Sequence, residues 1–336
     1  MRERAFVTGG SGFVGRSLLR RLQRDGWAVR ALARSAASAR TMAQAGAQPV
    51  SGDLDDRSAL VDGASGCAFV FHLAANVNEW GRREEFERVN VLGTRRVLEA
   101  CRLTGVRRMI HVSTEAAVMA GQPLVNVSEQ APLRPDSRSH YCATKAVAER
   151  EVLQANGEGV ETVVVRPRLV WGPGDTTLLP ALLASIHSGR FRWVGHGRHR
   201  TSTTHVENVV EGLMLAARVG RPGRTYFVTD GDPVVFRDFI EQLVATQGIE
   251  IPDRSIPPRL ARAVAATAES LWSVLPLQGS PPLTRTAVWL SSLEVTIDIS
   301  RAVAELGYQP VKTVPEGLAE LGAQARGAEH GQRSEA

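Results

Sequence analysis

Tyr141 and Lys145 stand four residues apart in the run Tyr141-Cys142-Ala143-Thr144-Lys145. On a helix that spacing stacks two side chains on one face, about a turn apart. A free phenol ionises near pH ~10 and a free ammonium near ~10.4. An ammonium held close favours the phenolate, so the pair predicts a Tyr141 pKa below its ordinary value. A phenol tuned that way exchanges a proton with an alcohol or a ketone near neutral pH. Exposed helices also produce the spacing by chance. The chain holds 3 tyrosines and two lysines, and one of each falls in this pair. Whether the pair is a site depends on the elements that carry it.

Those elements begin with Ala5-Phe6-Val7-Thr8, a short buried strand. It enters Gly9-Gly10-Ser11-Gly12-Phe13-Val14-Gly15, and a helix runs from about Gly12 to Arg24. Strand, glycine turn and helix in that order fit a dinucleotide. The glycines let backbone approach a pyrophosphate, whose charge then sits at a helix N-terminus. Gly10, Gly12 and Gly15 match one glycine spacing of such sites, and Gly9, Gly12 and Gly15 match another. The second strand, Ala28 to Leu32, ends at Ala33 and Arg34, where an acidic residue would bind the ribose hydroxyls of NAD. An arginine pairs instead with a 2′-phosphate, so Arg34 favours NADP(H) over NAD(H).

Further strands are read at Gln48 to Ser51, Ala68 to His72, Met109 to Val112 and Thr162 to Arg166. The first three deliver Gly52-Asp53-Leu54, Leu73-Ala74-Ala75 and Ser113-Thr114 at their C-terminal ends, where ligands of open parallel sheets bind. Glu84 to Leu103 reads as a helix buried through Val89, Leu92, Val97, Leu98 and Cys101, with Asn90 either a buried hydrogen-bonder or surface. Gly121 to Ser139 reads as an irregular loop, and the helix carrying Tyr141 runs to about Ala155. This alternation implies an α/β fold with a doubly wound parallel sheet.

After Pro167 the pattern changes. Helices are read at Thr177 to Ser188, Val206 to Ala217 and Arg237 to Gln247, with a strand at Tyr226 to Val228. Arg259 to Leu277 is apolar with a few charges and reads as a packed helix, a lid or a membrane-surface contact. His196 and His199 have no carboxylate or cysteine partner nearby, so no metal is expected. The composition, 43% hydrophobic and 22% charged, is that of a soluble globular protein. The basic excess is scattered arginine without interleaved aromatics, which argues against nucleic acid. Cys67, Cys101 and Cys142 lack metal spacing and suggest reduced thiols in the cytoplasm. The start runs straight into a strand, so no signal peptide is expected, and no run of about 20 apolar residues suggests a membrane span.

Taken in order, the glycine turn, Gly52-Asp53-Leu54, His72-Leu73-Ala74-Ala75, Ser113-Thr114 and the Tyr141–Lys145 pair resemble the extended short-chain dehydrogenase/reductases. Arg166-Pro167-Arg168-Leu169-Val170-Trp171-Gly172-Pro173-Gly174-Asp175, His205-Val206-Glu207-Asn208-Val209-Val210 and Leu306-Gly307-Tyr308-Gln309-Pro310 extend the resemblance over nearly the whole chain. It implies a Rossmann-type domain over 1–172, to which 202–230 return. A smaller C-terminal α/β substrate domain is implied over 173–201 and 231–322, before a polar tail, 323–336, expected to be disordered. The implied catalytic residues are Thr114, Tyr141 and Lys145. Cofactor contacts are implied at Gly9, Gly12, Phe13, Val14, Gly15, Arg34, Asp53, Leu54, Ala74, Ala75, Ser113, Pro167 and Val170, as well as Tyr141 and Lys145. Asp53 would reach the adenine and Lys145 the nicotinamide ribose. A homodimer through a helix pair follows by analogy only.

Two branches of that family compete. Nucleotide-sugar epimerases and dehydratases carry a diphosphate-binding asparagine where this chain has Leu169, and an arginine where it has Thr201, with Arg200 one step away. A leucine gives a phosphate no hydrogen bond, and desolvating that charge without partners is costly. The 3β-hydroxysteroid dehydrogenase group is more similar around His205-Val206-Glu207-Asn208 and acts on small apolar alcohols and ketones. Reversible hydride transfer between a nicotinamide and a secondary alcohol is therefore the expectation. A non-catalytic, cofactor-sensing regulator is the alternative of another class; such proteins usually lose the tyrosine or the lysine.

Overall fold

The computed structural model describes residues 2–275 and 277–334, with side chains through Gly327. The chain alternates β1 (Arg4–Thr8), α1 (Phe13–Arg24), β2 (Ala28–Ala33), α2 (Ala36–Gln44), β3 (Gln48–Ser51), α3 (Arg57–Ala64), β4 (Phe69–His72), α4 (Arg83–Phe86), α5 (Gly93–Thr104) and β5 (Arg108–Val112). Local chemistry sets the helix ends. Ser35 and Ser38 form a capping box at α2, and the Asp56 side chain accepts the Ala59 N–H at α3. Gly105 closes α5 at φ +69°, a left-handed conformation that suits glycine.

The chain continues through β6 (Leu124–Val127), α6 (His140–Gln154), β7 (Glu161–Pro167), β8 (Val170–Trp171), α7 (Leu178–His187), β9 (Trp193–Val194), β10 (Arg200–Thr201), β11 (Thr204–His205), α8 (Val206–Val219) and β12 (Arg224–Val228). A seven-stranded sheet takes the order β12-β7-β5-β4-β1-β2-β3, with every neighbouring pair parallel. The chain leaves β1 towards β2 and β3, then returns to β4 on the other side. The connections diverge at β1 and β4, which opens a crevice at the strand ends there. Apolar side chains from both faces of this sheet, Val7 and Phe71 on one and Phe6 and Val70 on the other, feed two separate buried clusters under the flanking helices.

The last third adds β13 (Val234–Val235), α9 (Phe236–Ala245), β14 (Ser255–Ile256), α10 (Pro258–Val274), α11 (Arg285–Ser292), β15 (Val295–Ile297), α12 (Ser300–Leu306) and α13 (Val314–Ser334). A smaller sheet runs β13-β10-β15-β6. β6 lies inside the stretch expected to be irregular loop, and its parallel pairing with β15 explains the difference: a short strand needs a partner that local sequence does not show. α12 packs on α8 and β12 of the main sheet, although it falls in the expected substrate segment. α10 buries Ala261, Ala265 and Ala268 and pairs Glu269 with Arg285 at 2.7 Å, while Leu260, Val264 and Leu271 stay exposed.

Two further expectations change. Glu87–Leu92 is a π-helical turn, whose wider winding rotates the buried face. Val89 is half-buried and Leu92 is exposed, while Asn90, Val91 and Thr94 point inward. Residues 323–334, expected to be disordered, extend α13 to Ser334, in keeping with their alanine, glutamate, glutamine and arginine content; 335 and 336 lie outside the described residues. Among the described residues no helix is long and apolar enough to cross a membrane.

Candidate active site

The glycine turn between β1 and α1 is a cradle that a side chain would fill. Gly9 has φ +75°, and a Cβ on it would lie 2.6 Å from the Ala74 nitrogen. A Cβ on Gly15 would run into the Gly9 carbonyl oxygen. Gly12 starts α1 with its N–H donating to Gly9 O at 3.1 Å, and no side chain caps the helix, so the N–H groups of its first turn face an anion site. Gly10 instead sits under Leu19 and Ala31, which selects the Gly9, Gly12, Gly15 spacing. Phe13 is buried and Val14 half-buried behind this cradle. The residues fit a dinucleotide pyrophosphate.

The residues expected to flank it lie at or just past the strand ends. Arg34 is exposed just past β2, and Asp53 is exposed past β3, its Oδ1 accepting the Asp55 N–H at 2.8 Å. Leu54 packs against Gly93, and Ala74 and Ala75 follow β4 half-buried. Pro167 ends β7 and Val170 opens β8. Ser113 lies at the end of β5, where its N–H donates to Val165 O at 2.8 Å and its hydroxyl to the buried Glu149 Oε2 at 2.5 Å, so both of its donors are committed within the protein.

Thr114 and α6 bring the expected chemistry together. Ser139 caps α6, so Tyr141 falls in its first turn and Lys145 in its second. Tyr141 is half-buried beside Thr114, whose side chain favours its phenolate. Thr114 Oγ1 donates to Glu115 Oε2 at 2.8 Å and accepts the Ala116 N–H at 3.2 Å. The Tyr141 pKa is not lowered, as the helix spacing had suggested. Burial, then the Glu115 carboxylate, push it above its ordinary value, against the Thr114 side chain. Lys145 does not offset this, because its Nζ donates to Val112 O at 2.7 Å and lies 3.4 Å from His111 Nε2. Burial pulls the ammonium down to about 8.

Beneath Lys145 lies a polar layer of which the sequence offered only Asn90. His111 is buried, with its pKa well below the usual histidine value through burial and then Lys145. His72 binds Thr8 Oγ1 at 2.6 Å and Thr94 Oγ1 at 3.0 Å, and burial holds it neutral, at about 3. Asn90 joins the loop after β4 to α6, accepting the Asn76 N–H at 2.7 Å and donating to Thr144 Oγ1 at 3.0 Å. Two ion pairs complete the floor. Arg166 is paired with Glu149, one helical turn beyond Lys145, and Arg168 with Glu115 at 2.5 Å. A signal for the first was present: Tyr141, Lys145 and Glu149 share one helical spacing, and an arginine within Val163-Val164-Val165 and its continuation needs a buried partner.

The positions that separate the two branches are also on this wall. Leu169 holds φ +40°, a left-handed conformation unusual for a leucine. Thr201 is buried and accepts from Arg168 Nε at 3.2 Å and Nη2 at 3.0 Å. Arg200 donates to Pro233 O at 3.0 Å. His199 stacks on Phe236 with ring centroids 4.9 Å apart, so it is committed to packing.

Comparison with known proteins agrees with this geometry. The family model described as "3-beta hydroxysteroid dehydrogenase/isomerase family" matches residues 6–259. A 4-hydroxy-2-methyl-3-oxo-4-farnesyl-3,4-dihydroquinoline-1-oxide ketoreductase of Stigmatella aurantiaca is 49% identical over 94% of this chain and 94% of its own. A 2-alkyl-3-oxoalkanoate reductase of Stenotrophomonas maltophilia is 35% identical over 94% of this chain and 97% of its own. Among solved structures, MoeE5 in complex with UDP-glucose and NAD superposes with a TM-score of 0.74 at 26% identity, covering 97% of this chain and 99% of that one. The chain belongs to the 3-beta hydroxysteroid dehydrogenase/isomerase family and is an NAD(P)-dependent oxidoreductase of the extended short-chain type.

Proposed function

We propose that the protein reduces an uncharged, apolar ketone to its secondary alcohol, with NADP(H) as the preferred cofactor. The observation that carries this reading is the placement of Tyr141 at the start of α6, beside Thr114 and Glu115. A phenol kept protonated by burial and by Glu115 is a general acid, and it lies beside a second hydroxyl that can turn from Glu115 to the same substrate oxygen. The reduced nicotinamide supplies the hydride when bound. Tyr141 gives its proton to the carbonyl oxygen as charge develops there, and the Thr114 hydroxyl turns its proton from Glu115 to that oxygen. Lys145 is anchored on Val112 O with its remaining protons available to a ribose, and the polar layer below fixes its amine. In the reverse direction Tyr141 takes the alcohol proton.

The Stigmatella relative, whose substrate bears a farnesyl group, supports a prenyl- or alkyl-substituted ketone. Arg34, exposed beyond β2 where an acid would favour NAD, supports NADP(H). A second reading, a nucleotide sugar, is favoured by the UDP-glucose-bound neighbour. Against it stand Leu169, the commitment of Thr201 to Arg168, and that of Arg200 to Pro233 O. The test is loss of reduced-cofactor absorbance with the purified protein, NADPH or NADH, and either alkyl-substituted cyclic ketones or UDP-glucose. Turnover of the ketones, with Arg34→Ala raising KM for NADPH about tenfold and sparing NADH, is expected. Turnover of the nucleotide sugar alone would overturn the reading.

A further inference from the structure

Arg168 and Glu115 form an ion pair with side chains 0% and 4% exposed, a single carboxylate away from the carbonyl-binding hydroxyls. Burying two charges is expensive, and an apolar pair would often be as stable, so the pair calls for a role beyond holding the fold. Its geometry suggests one. Glu115 Oε2 accepts from Thr114 Oγ1 at 2.8 Å, and Oε1 accepts from Arg168 Nη1 at 2.5 Å. The other two guanidinium nitrogens, Nε and Nη2, both donate to Thr201 Oγ1. Every nitrogen of Arg168 therefore has a partner within the protein.

The Glu115 carboxylate spans the short distance from Thr114 to a guanidinium. A ketone oxygen held at Thr114 Oγ1 sits next to Glu115 Oε2, 2.8 Å from that hydroxyl, so a carboxylate on the neighbouring carbon would be directed toward the Glu115 carboxylate. Without Glu115 the guanidinium would pair with it in the two-pronged fashion arginine prefers. With Glu115 present the incoming anion meets a fixed carboxylate and an arginine already satisfied. Resting on the ketone-reductase reading above, we propose that Glu115 is a specificity-determining residue: it neutralises Arg168 from within and thereby excludes carboxylated ketones in favour of uncharged ones. The single residue after Thr114 then sets the charge of the substrate.

The experiment compares the wild type, Glu115→Ala, Glu115→Gln and the double variant Glu115→Ala/Arg168→Met, each loaded with oxidised cofactor. Two probes, octanoate and octanol, are titrated by calorimetry, which reads binding whether or not any ketone is turned over. Glu115→Ala should bind octanoate at least about tenfold tighter than the wild type, with octanol changed far less. The double variant should lose that gain. Octanoate should also raise the melting temperature of Glu115→Ala and not that of the double variant. Glu115→Gln keeps an acceptor for Thr114 and the same volume, so it checks the proposal should the alanine variant not fold. Its ratio of kcat/KM for a 3-oxo acid over the matching uncharged ketone should rise at least about tenfold, mostly through KM. Equal octanoate affinity in the wild type and Glu115→Ala, or an equal gain in the double variant, would overturn the proposal. Failure of the ketone-reductase reading gives a different result: no ketone consumed by the wild type, with the octanoate shift intact.

Discussion

Replacing Lys145 by methionine should stabilise the protein while abolishing its chemistry. Lys145 is 3% exposed, and burial pulls its ammonium from 10.5 to about 8. In the unfolded chain the amine keeps its ordinary value. Between pH 8 and 10.5 the unfolded chain therefore binds more protons than the folded one, and stability rises with pH across that window. Below pH 8 the folded protein carries the whole cost of the buried charge. Each pH unit corresponds to about 1.4 kcal/mol, so that cost is about 3 kcal/mol. Methionine has a similar volume and no charge, and it loses the bond to Val112 O, about 1 kcal/mol at any pH. The variant should thus be about 2 kcal/mol more stable near pH ~7 and about 1 kcal/mol less stable above pH ~10.5. Urea unfolding of both proteins without cofactor, in steps across that pH range, measures the difference. A stability difference that stays constant with pH would refute the buried-ammonium reasoning, whatever its sign.

Tyr141→Phe should lower kcat by about 10²- to 10⁴-fold while the cofactor dissociation constant, followed by fluorescence, hardly moves; full activity in this variant would remove the general acid. Glu149→Gln leaves Arg166 buried without its countercharge and should cost about 3–5 kcal/mol, read by chemical denaturation. Gly15→Ala forces a methyl against the Gly9 carbonyl and should abolish NADPH binding in a fluorescence titration; binding of wild-type strength would show that the turn can open without loss.

The parts of the site legible in the sequence are those whose cause is local. A glycine turn between a buried strand and a helix declares itself, because Gly9 and Gly15 have no room for a side chain. Tyr141 and Lys145 share a helix face through spacing alone. Their electrostatics were not legible in the same way. The direction of the Tyr141 shift depends first on burial and then on Glu115, which is next to Thr114 in sequence but remote from the tyrosine, while Lys145 turns to Val112 O. The π-helical turn decides between the two readings the sequence left open at Asn90: a regular 3.6-residue pattern assigns burial to Leu92, and one wide turn passes it to Asn90 and Val91. β6 gave no signal because its partner, β15, lies far along the chain.

That last pairing has a consequence for how the protein is made. The parallel sheet gains its outer strand only at Arg224–Val228, and β6 waits at residue 124 until Val295 has been synthesised. Contacts across such a separation are slow to form, because a long loop must close before any pairing rewards it. On a ribosome the nucleotide cradle, with β1, α1 and β4 all near the N-terminus, can assemble well before the smaller sheet can pair β6 with β15. A chain halted after Val228 keeps all strands of the parallel sheet yet leaves β6, an edge strand paired to β15 in the full fold, with no partner on either side, the kind of surface on which nascent chains aggregate.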